Sequence, residues 1–538
     1  MIDALIVGAG HNGLVCACYL AAKGLSVRIV ERRDVIGGAA VTEEFHPGFR
    51  NSTASYAVSL LHPSVIDDLH LAKHGLRIVE RPLSNFVPQA DGRALRLGFA
   101  SGGIAATCAD IAAHSPRDAA AYPAYVARLE LIAGVLRELA LRTPPNAGSG
   151  IAEVFKLWSS SRSFAVLSLD EQRDALDLFT LSAADWLDRW FESDAVKAAL
   201  AFDSIVGSFA SPHTSGTAYQ LLHHVFGEVN GRHGAWGHAI GGMGAISDAI
   251  AAEARARGVI IDTSMPVSRI RVGNEADGRA NGVVLDNGDE IDARIVVANV
   301  DPRRLFLSLI DEPTRARHGL DRYRHYQCES ATLRINLALS ELPDFLAAPG
   351  THTQPHHGSG IIIGPSLDYL DRAHADARVG GWSREPIVEL VIPSTIDSTL
   401  SPAGAHVASL FCQHFRFELP DGRHWDEEVE RGAATDAAID AVTQFAPNFG
   451  RSIIARQVHT PLDLERKFGL SRGDIFHGRL TLNQLFSARP SLGDAAYRMP
   501  IPRLYLCGAG AHPGGGVSGV PGRNAAREIL RDRQSWMR

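Results

Sequence analysis

A glycine motif placed between a strand and a helix constrains the fold of this 538-residue chain more than any other feature. Residues 3–7 form a short, mostly apolar run and predict a buried strand, residues 13–23 predict a helix, and residues 26–31 predict a second strand. The segment Gly8-Ala9-Gly10-His11-Asn12-Gly13 joins the first strand to the helix. A β-α-β unit of about 30 residues with this turn predicts a Rossmann-like α/β domain.

The same motif predicts a dinucleotide site. Gly8 permits a tight turn, Gly10 lets a pyrophosphate approach the backbone, and Gly13 lets the helix pack closely on the strand. The helix N-terminus offers unpaired N–H groups to the phosphates. Glu31 ends the second strand, where a carboxylate accepts hydrogen bonds from ribose hydroxyls. We therefore expect these four residues, together with Asn12, to bind the cofactor.

The residues that follow Glu31 favour FAD over NAD. Gly37 and Gly38 form a second glycine pair, which would let the backbone approach the far end of the pyrophosphate. Arg33 would add positive charge there. In an NAD enzyme this stretch is usually an ordinary loop into a helix. A plain turn is the alternative interpretation of the glycine pair.

Length and charge limit the class of protein. A chain of this length predicts two or three domains. Its net charge of −7 argues against nucleic-acid binding, and six cysteines are too few for a disulfide framework. Two residues precede the first strand, which leaves no room for a targeting peptide, and no run of 18 apolar residues is present. The sequence therefore predicts a cytoplasmic protein.

The rest of the chain predicts further domains. Residues from about 115 to 235 have helical periodicity. Residues 331–339 alternate between apolar and polar, which predicts a half-buried strand, and residues 387–393 and 405–415 predict further strands of a second sheet. The chain ends with a buried strand at 504–506, a glycine-rich turn and a helix at 523–531.

Nearly end to end, the chain resembles the phytoene desaturase-related FAD oxidoreductases, a branch of the amine oxidase-like flavoprotein group. Within that branch it is most similar to the pyridine nucleotide-disulphide oxidoreductase domain-containing protein 2 family. The similarity rests on five blocks of sequence, at residues 7–14, 37–44, 234–244, 473–478 and 507–517. No redox C-x-x-C and no NAD(P)H domain accompany them, so we discount disulphide reductase chemistry.

This resemblance implies an FAD domain assembled from three segments, a mixed-sheet substrate domain and a helical cap. It implies a strand near Val267 whose backbone contacts the adenine, and a last glycine-rich segment that contributes Gly508, Ala509 and Val517 to the flavin site. The expected segments are 1–85, 236–305 and 500–538 for the FAD domain, 86–235 for the cap and part of the substrate domain, and 306–499 for the substrate sheet.

Two histidines are candidate catalytic residues. His512 lies in the segment expected beside the isoalloxazine, and His477 lies in a turn upstream of it. Either imidazole would orient substrate, tune the flavin or move a proton, and the alternative is that each holds its loop. The other histidines lack metal-ligand spacing, so we expect no metal site.

The reaction implied by the family is hydride transfer to flavin N5 from an apolar or amphipathic substrate, with polyene-like chains among the candidates. Three alternatives remain open: isomerisation on reduced flavin, amine oxidation with Lys467 near N5, and a non-catalytic flavin-binding protein. The electron acceptor is open between dioxygen, a quinone and another carrier. A lipid substrate would add a peripheral membrane contact.

Overall fold

The computed structural model describes residues 2–146, 162, 164–273, 278–350 and 352–537. Helices occur in every predicted domain. In chain order they are α1 (His11–Ala21), α2 (Pro63–Asp68), α3 (Gly103–Ala112), α4 (Pro116–Ala140), α5 (Leu169–Thr180), α6 (Ala183–Asp188), α7 (Asp194–Ala201), α8 (Thr217–Val225), α9 (Gly244–Ala256), α10 (Pro302–Ser308), α11 (Glu312–Arg317), α12 (Leu367–Gly380), α13 (Glu428–Thr443), α14 (Phe449–Ser452), α15 (Pro461–Phe468), α16 (Val520–Arg531) and α17 (Arg533–Met537).

The strands form two large sheets and three small hairpins or ribbons. They are β1 (Ile2–Val7), β2 (Val27–Val30), β3 (Thr42–His46), β4 (Phe49–Ser52), β5 (Ile78–Glu80), β6 (Asn85–Pro88), β7 (Ala94–Leu97), β8 (Glu228–Val229), β9 (Arg232–His233), β10 (Gly237–Ala239), β11 (Ile260–Asp262), β12 (Val267–Val272), β13 (Ala280–Leu285), β14 (Glu290–Ala298), β15 (Thr332–Leu339), β16 (Gly360–Ile363), β17 (Trp382–Val391), β18 (His406–Phe415), β19 (Ile453–His459) and β20 (Leu504–Leu506).

The first large sheet draws its strands from three separate stretches of the chain. Its parallel core runs β11-β2-β1-β14, and β20 pairs in parallel with the second half of β14. The first half of β14 pairs with β13, which pairs with β12, both antiparallel. The predicted Rossmann-like domain built from three segments is therefore confirmed. The segment boundaries remain a prediction.

Helix α1 is packed between two other helices of this domain. Residues 12–18 and Leu20 are buried, because α9 lies on one side of α1 and α16 on the other. A Cβ built on Gly522 of α16 would lie 2.1 Å from the carbonyl oxygen of Asn12, so glycine is what permits this crossing. The close contact fixes the third segment against the start of the helix that follows the first glycine motif.

The second large sheet is mixed, as predicted, with the order β19-β15-β18-β17-β16-β6-β7. The prediction that residues 331–339 form a half-buried strand is wrong, because every residue of β15 is buried. Its apolar face packs with α13, and its polar face is covered by residues 52–56 of the first segment. Asn336 donates to the carbonyl oxygen of Ser52, and the Arg334 guanidinium lies 4.4 Å from the centre of the Tyr56 ring.

The helical cap is built around α4. The side chain of Ser115 accepts a hydrogen bond from the N–H of Asp118 and begins this 25-residue helix. Tyr125, Leu129 and Ile132 are buried in the cap core. Trp186 and Phe191 lie in the same core.

Helix α4 is long and apolar enough to be considered for a membrane span, which the sequence pattern did not suggest. Just 28% of its most apolar window is buried. Core helices of globular proteins meet the same criterion, so this is weak evidence for a membrane span. The cytoplasmic location stays a prediction.

Candidate active site

A cavity of about 270 Å³ lies at the carboxyl ends of β1, β2 and β14. This edge of a parallel sheet is where doubly wound folds bind their ligands. We call it the nucleotide cavity. Its walls include Gly8, Gly10, His11, Asn12, Glu31, Arg33, Gly38, Val267, Asn299, Arg304, His477 and Ala509. Thus residues predicted from all three segments of the FAD domain meet around one space.

The first glycine motif has the close contacts that the sequence predicted. A Cβ built on Gly13 would lie 2.5 Å from the carbonyl oxygen of Gly8 and 2.8 Å from Nδ2 of Asn299. Gly8 has a φ of +100°, a conformation that other residues rarely adopt. The turn therefore tolerates no side chain at position 13, and the N-terminus of α1 is brought to the cavity wall.

The second glycine pair lies directly against the first motif. The N–H of Gly37 donates to the carbonyl oxygen of Ala9 at 2.9 Å, and a Cβ on Gly38 would lie 3.2 Å from Cα of Gly10. Both glycines have positive φ. The pair therefore lies against the first glycine motif, and Gly38 lines the nucleotide cavity. Its role at the pyrophosphate stays a prediction, with a plain turn as the alternative.

Glu31 is buried at the cavity and held by backbone N–H groups. Its Oε2 accepts from the N–H of Ala9 at 2.8 Å, and its Oε1 accepts from the N–H of Arg33 at 3.0 Å. A carboxylate oxygen has capacity for further hydrogen bonds, and 7% of the residue is exposed. The geometry leaves Glu31 able to accept from a ligand hydroxyl.

The Arg33 guanidinium is shared between the cavity and an ion-pair cluster. One nitrogen contacts Glu43 at 2.7 Å, and Lys467 contacts the same carboxylate at 2.8 Å. The other terminal nitrogen of Arg33 is buried and has no hydrogen-bond partner among the described residues. Lys467, the lysine considered for amine oxidation, is thus engaged in an ion pair.

Four buried polar atoms at the nucleotide cavity have no hydrogen-bond partner within the described ranges. They are Nε2 of His11, Oδ1 of Asn12, one Nη of Arg33 and Nδ1 of His477. Buried polar groups are nearly always satisfied, so a row of unsatisfied atoms along one cavity indicates a polar ligand. The phosphates, ribose and ribityl hydroxyls of FAD have the donors and acceptors that these atoms lack. The residues present therefore fit this cofactor.

Val267 lies at the start of β12 and lines the far end of the nucleotide cavity with Met265 and Pro266. Two further arginines, Arg32 and Arg304, also line the cavity. The pKa of Arg32 is lowered by burial and then by the charge of Arg304, which shows that the two cations lie near each other. The expected adenine end of the site thus has an apolar wall beside positive charge.

The last glycine-rich segment follows β20, and of its three predicted site residues Ala509 lines the nucleotide cavity, whereas Gly508 and Val517 do not. A Cβ on Gly508 would lie 3.2 Å from Oδ1 of Asn299, and Val517 is buried with a φ of +58°. Arg489, which is fully buried, donates to the carbonyl oxygens of Ala509 and Phe476, both at 2.7 Å. This arginine therefore ties the last segment to the turn that contains His477.

His477 lies at the nucleotide cavity, beside His11. Burial, followed by the charge of Arg489, lowers the pKa of His477 to about 4. Burial, followed by His477, lowers the pKa of His11 to about 3. Both imidazoles are therefore neutral near pH 7, and each has one nitrogen without a described partner. Such rings can donate or accept a hydrogen bond but carry no charge.

His512 occupies a different environment. Its Nε2 lies 3.1 Å from the carbonyl oxygen of Leu139 at the end of α4, and Phe486 packs edge-on against its ring. Burial lowers the pKa of His512 to about 4. The hydrogen bond connects the last glycine-rich segment to the cap, as the alternative interpretation of a loop-holding histidine requires. A direct role in proton transfer stays a prediction.

An apolar cavity of about 260 Å³ borders His512 and the cap. Its walls are Leu136, Leu139, Ala140, Phe164, Phe179, Tyr219, Phe226, Leu485, Phe486, His512 and Pro513. A small cavity of about 70 Å³ shares three of these walls, Ala140, Phe226 and Pro513, and reaches Gly515 of the last segment. We call these two spaces the apolar cavity and the small cavity.

Within the described part of the chain, no cluster of three or more histidine, cysteine or carboxylate side chains is arranged to hold a metal.

Some site residues were missed from the sequence. Asn299 follows β14 and donates through Nδ2 to the carbonyl oxygens of Gly8 and Gly10, at 3.1 and 3.2 Å. Its place after a buried strand was a usable signal, because ligands bind at the carboxyl ends of parallel strands. Arg489 carried no such signal, since nothing in its neighbourhood marks it as buried.

A glycine-lined cavity at the carboxyl edge of a three-segment Rossmann-like sheet defines a dinucleotide-binding protein. A family model described as flavin containing amine oxidoreductase matches residues 13–327. The chain belongs to this family of FAD-dependent oxidoreductases.

Curated relatives and solved structures agree with that assignment. The chain is 40% identical to the rat (Rattus norvegicus) pyridine nucleotide-disulfide oxidoreductase domain-containing protein 2, over 98% of this chain and 93% of the relative. It is 25% identical to a limonene dehydrogenase component from Castellaniella defragrans, over 98% and 94%. The structure of cyclohexylamine oxidase from Brevibacterium oxydans IH-35A shares the fold with a TM-score of 0.56 at 18% identity, and each chain is covered to 99%.

Proposed function

We propose that this flavoprotein is a dehydrogenase of the desaturase type, which removes hydride from an apolar or amphipathic substrate. The observation that supports this most is the apolar cavity, whose walls are aliphatic and aromatic side chains next to Pro513 of the last glycine-rich segment. The relative named for limonene dehydrogenase fits the same class of reaction and substrate.

The proposed cofactor contacts follow the three segments. Gly8, Gly10, Asn12 and Gly13 would hold the pyrophosphate at the N-terminus of α1, and Glu31 would bind the ribose. Arg33, Gly37, Gly38 and the strand at Val267 would complete the AMP half. Gly508, Ala509 and Val517 would lie along the flavin. FAD, when bound, supplies a two-electron acceptor that takes hydride at N5.

The protein's own contribution is positioning and exclusion of water. The apolar walls replace water around the reacting carbon, and the neutral imidazole of His477 offers a hydrogen bond without adding charge. Arg489 holds the turn of His477 against Ala509, so that the two loops form one rigid wall. Loss of hydride would leave a cationic carbon, and loss of a proton from the adjacent carbon would complete the double bond. That proton can pass to a weak acceptor such as water or a neutral imidazole, so no strong protein acid or base is required.

The test uses purified FAD-loaded protein under anaerobic conditions. Apolar terpenoids and polyene lipids should bleach the visible absorption of the flavin, and primary amines should not. Bleaching by amines alone would establish amine oxidation instead. Turnover that requires reduced flavin and leaves no oxidised product would establish isomerisation. Reoxidation by dioxygen and by a soluble quinone, measured on the same sample, identifies the acceptor.

A matched pair of variants tests the cavity itself. Ala140→Trp places an indole in the wall shared by the apolar and small cavities and should slow flavin reduction by apolar compounds at least tenfold. Ala112→Trp, at an exposed position of α3, serves as the control. Equal reduction rates for the two variants, at equal flavin content, would contradict the assignment of substrate to this cavity.

A further inference from the structure

Two side chains on α8 combine deep burial, a place at the cavity walls and polar atoms without a protein partner. Both ring nitrogens of His223 are buried and have no hydrogen-bond partner among the described residues, and 4% of the residue is exposed. The hydroxyl of Tyr219 forms no hydrogen bond with any residue that the structure describes, and 8% of that residue is exposed. Buried polar atoms such as the two ring nitrogens of His223 are rarely left without a partner, so they indicate a polar group of a ligand.

These two side chains border two adjacent cavities. Tyr219 and His223 are four residues apart on α8, which puts them on one face of the helix, with ring centroids 6.4 Å apart. Tyr219 lines the apolar cavity and His223 lines the small cavity beside Gly515. The Phe476 ring lies edge-on to His223 at 5.9 Å, so the pair borders the turn that precedes His477.

The other polar side chains around the small cavity already have protein partners. Arg137 pairs with Glu130 and donates to the carbonyl oxygen of Phe226, and Glu228 pairs with His233. The ring of His62 accepts from the N–H of Ser64, and the hydroxyl of Ser518 accepts from the N–H of Val520. In the apolar cavity His512 is bound to the carbonyl oxygen of Leu139. What remains is one unsatisfied pair in apolar surroundings.

We propose that Tyr219 and His223 bind the oxygen atom of an otherwise apolar ligand, a terpenoid or similar alcohol or ketone, at the boundary between the adjacent apolar and small cavities. That this ligand is the substrate rests on the proposed function. A neutral imidazole and a phenol offer both a donor and an acceptor, which suits a hydroxyl or a carbonyl. Burial, followed by the neighbouring His224 and Arg489, lowers the pKa of His223 to about 3, in agreement with an uncharged ring.

The experiment compares two probes, geraniol and myrcene. Both are acyclic terpenoids with the same number of carbons, and geraniol alone carries a hydroxyl. Binding to the oxidised, FAD-loaded protein is measured by calorimetry, so that no turnover is needed. We expect geraniol to bind roughly tenfold more tightly, the worth of one well-made hydrogen bond in an apolar cavity.

Three variants locate the effect. Tyr219→Phe removes one hydroxyl and His223→Phe removes the imidazole, and each should reduce the preference for geraniol at least about threefold while myrcene affinity changes less than about twofold. His224→Gln is the control. The His224 ring is next to His223 in sequence, but it already forms a hydrogen bond with the carbonyl oxygen of Gln220 and lines a different cavity. Flavin content and the melting temperature confirm that each variant is folded.

The outcomes separate this inference from the proposed function. Three outcomes would overturn the proposed oxygen site. They are equal affinity of the wild type for both probes, no binding of either probe, and a geraniol preference that survives in Tyr219→Phe, which removes a single oxygen atom. Flavin reduction by hydrocarbons without any geraniol preference would uphold the dehydrogenase and overturn the oxygen site. A preference that the variants abolish, with no flavin reduction by any apolar compound, would uphold the oxygen site and overturn the dehydrogenase.

Discussion

Gly13 shows how one hydrogen atom in place of a methyl group can decide cofactor binding. An alanine Cβ at this position would lie 2.5 Å from the carbonyl oxygen of Gly8 and 2.8 Å from the amide nitrogen of the Asn299 side chain. Neither atom can move without opening the turn that carries the predicted phosphate contacts. The motif glycine is therefore required by packing.

We expect Gly13→Ala to lower FAD affinity at least tenfold, because the turn must shift away from the N-terminus of α1. Flavin retained after gel filtration and a fluorescence titration with FAD measure the effect. Gly432→Ala in α13 is the control, since no atom lies within 4 Å of the added Cβ. That variant should keep its flavin and gain up to about 1 kcal/mol of stability. Equal flavin affinity for the two variants would contradict the packing argument.

Glu31 supplies the second test at the residue scale. Its carboxylate is bound to two backbone N–H groups and has capacity left for a ribose hydroxyl. Glu31→Ala should weaken FAD binding by roughly tenfold to a hundredfold, the worth of a charged hydrogen bond of about 1.5–3 kcal/mol. The FAD affinity of Glu31→Gln, which keeps one acceptor oxygen, should lie between the affinities of Glu31→Ala and the wild type. Unchanged affinity of Glu31→Ala would mean that the ribose is held elsewhere.

At the scale of elements, the contact between α1 and α16 joins the two ends of the chain. Gly522 permits the crossing, and a Cβ there would lie 2.1 Å from the carbonyl oxygen of Asn12. On the other side of α1, the Cys18 thiol donates to the carbonyl oxygen of Ile250 in α9, 3.5 Å away. The FAD domain is therefore assembled by helices that approach one another closely, and separating them should cost both stability and cofactor.

We expect Gly522→Val to lower the free energy of unfolding by about 1–3 kcal/mol, the usual cost of overpacking a dense interface. Urea unfolding followed by circular dichroism measures it, with Gly134→Val in α4, where nothing lies within 4 Å, as the control for helix propensity. If both variants lose the same stability, the crossing is not the cause.

Much of the element pattern could be predicted because it is local. The strands predicted at 3–7 and 504–506 and the helix predicted at 13–23 all have their periodicity and turn residues within short windows. The interpretation of residues 331–339 failed for the opposite reason. The alternation shows that one face of the strand is apolar and the other polar, but it does not show what covers the polar face. In β15 the polar face is buried because residues 52–56, far away in sequence, cover it.

At the scale of the whole molecule, buried neutral histidines make the free energy of unfolding depend on pH. His223, His414 and His512 are 4%, 0% and 6% exposed, and burial lowers the pKa of each, to about 3 for His223, to about 4 for His512 and well below the usual value for His414. In the unfolded chain each would bind a proton below about pH 6.5. The unfolded state therefore takes up more protons than the folded state as the pH falls.

The free energy of unfolding should accordingly fall as the pH drops from about 6.5 towards 4, by up to about 1.4 kcal/mol per pH unit for each histidine. Above about pH 7 these groups should contribute no pH dependence, because they are neutral in both states. Urea unfolding at a series of pH values checks the sign and the window. His414→Asn should make the curve shallower, and a curve with no slope between about pH 6.5 and 5 would contradict the assignment.

Short stretches of sequence were enough to establish the first β-α-β unit, the glycine motif with Glu31, and the last strand with its glycine-rich turn. These features depend on residues close together in the chain, and they sufficed to predict the flavoprotein class. Only the folded structure shows which side chains from distant parts of the chain complete the site. Asn299 braces the first glycine turn, and Arg489 joins two loops by backbone carbonyl oxygens. Tyr219 and His223 meet the apolar cavities because α8 is folded against the last segment. Each of these placements depends on packing between remote segments, which no local pattern encodes.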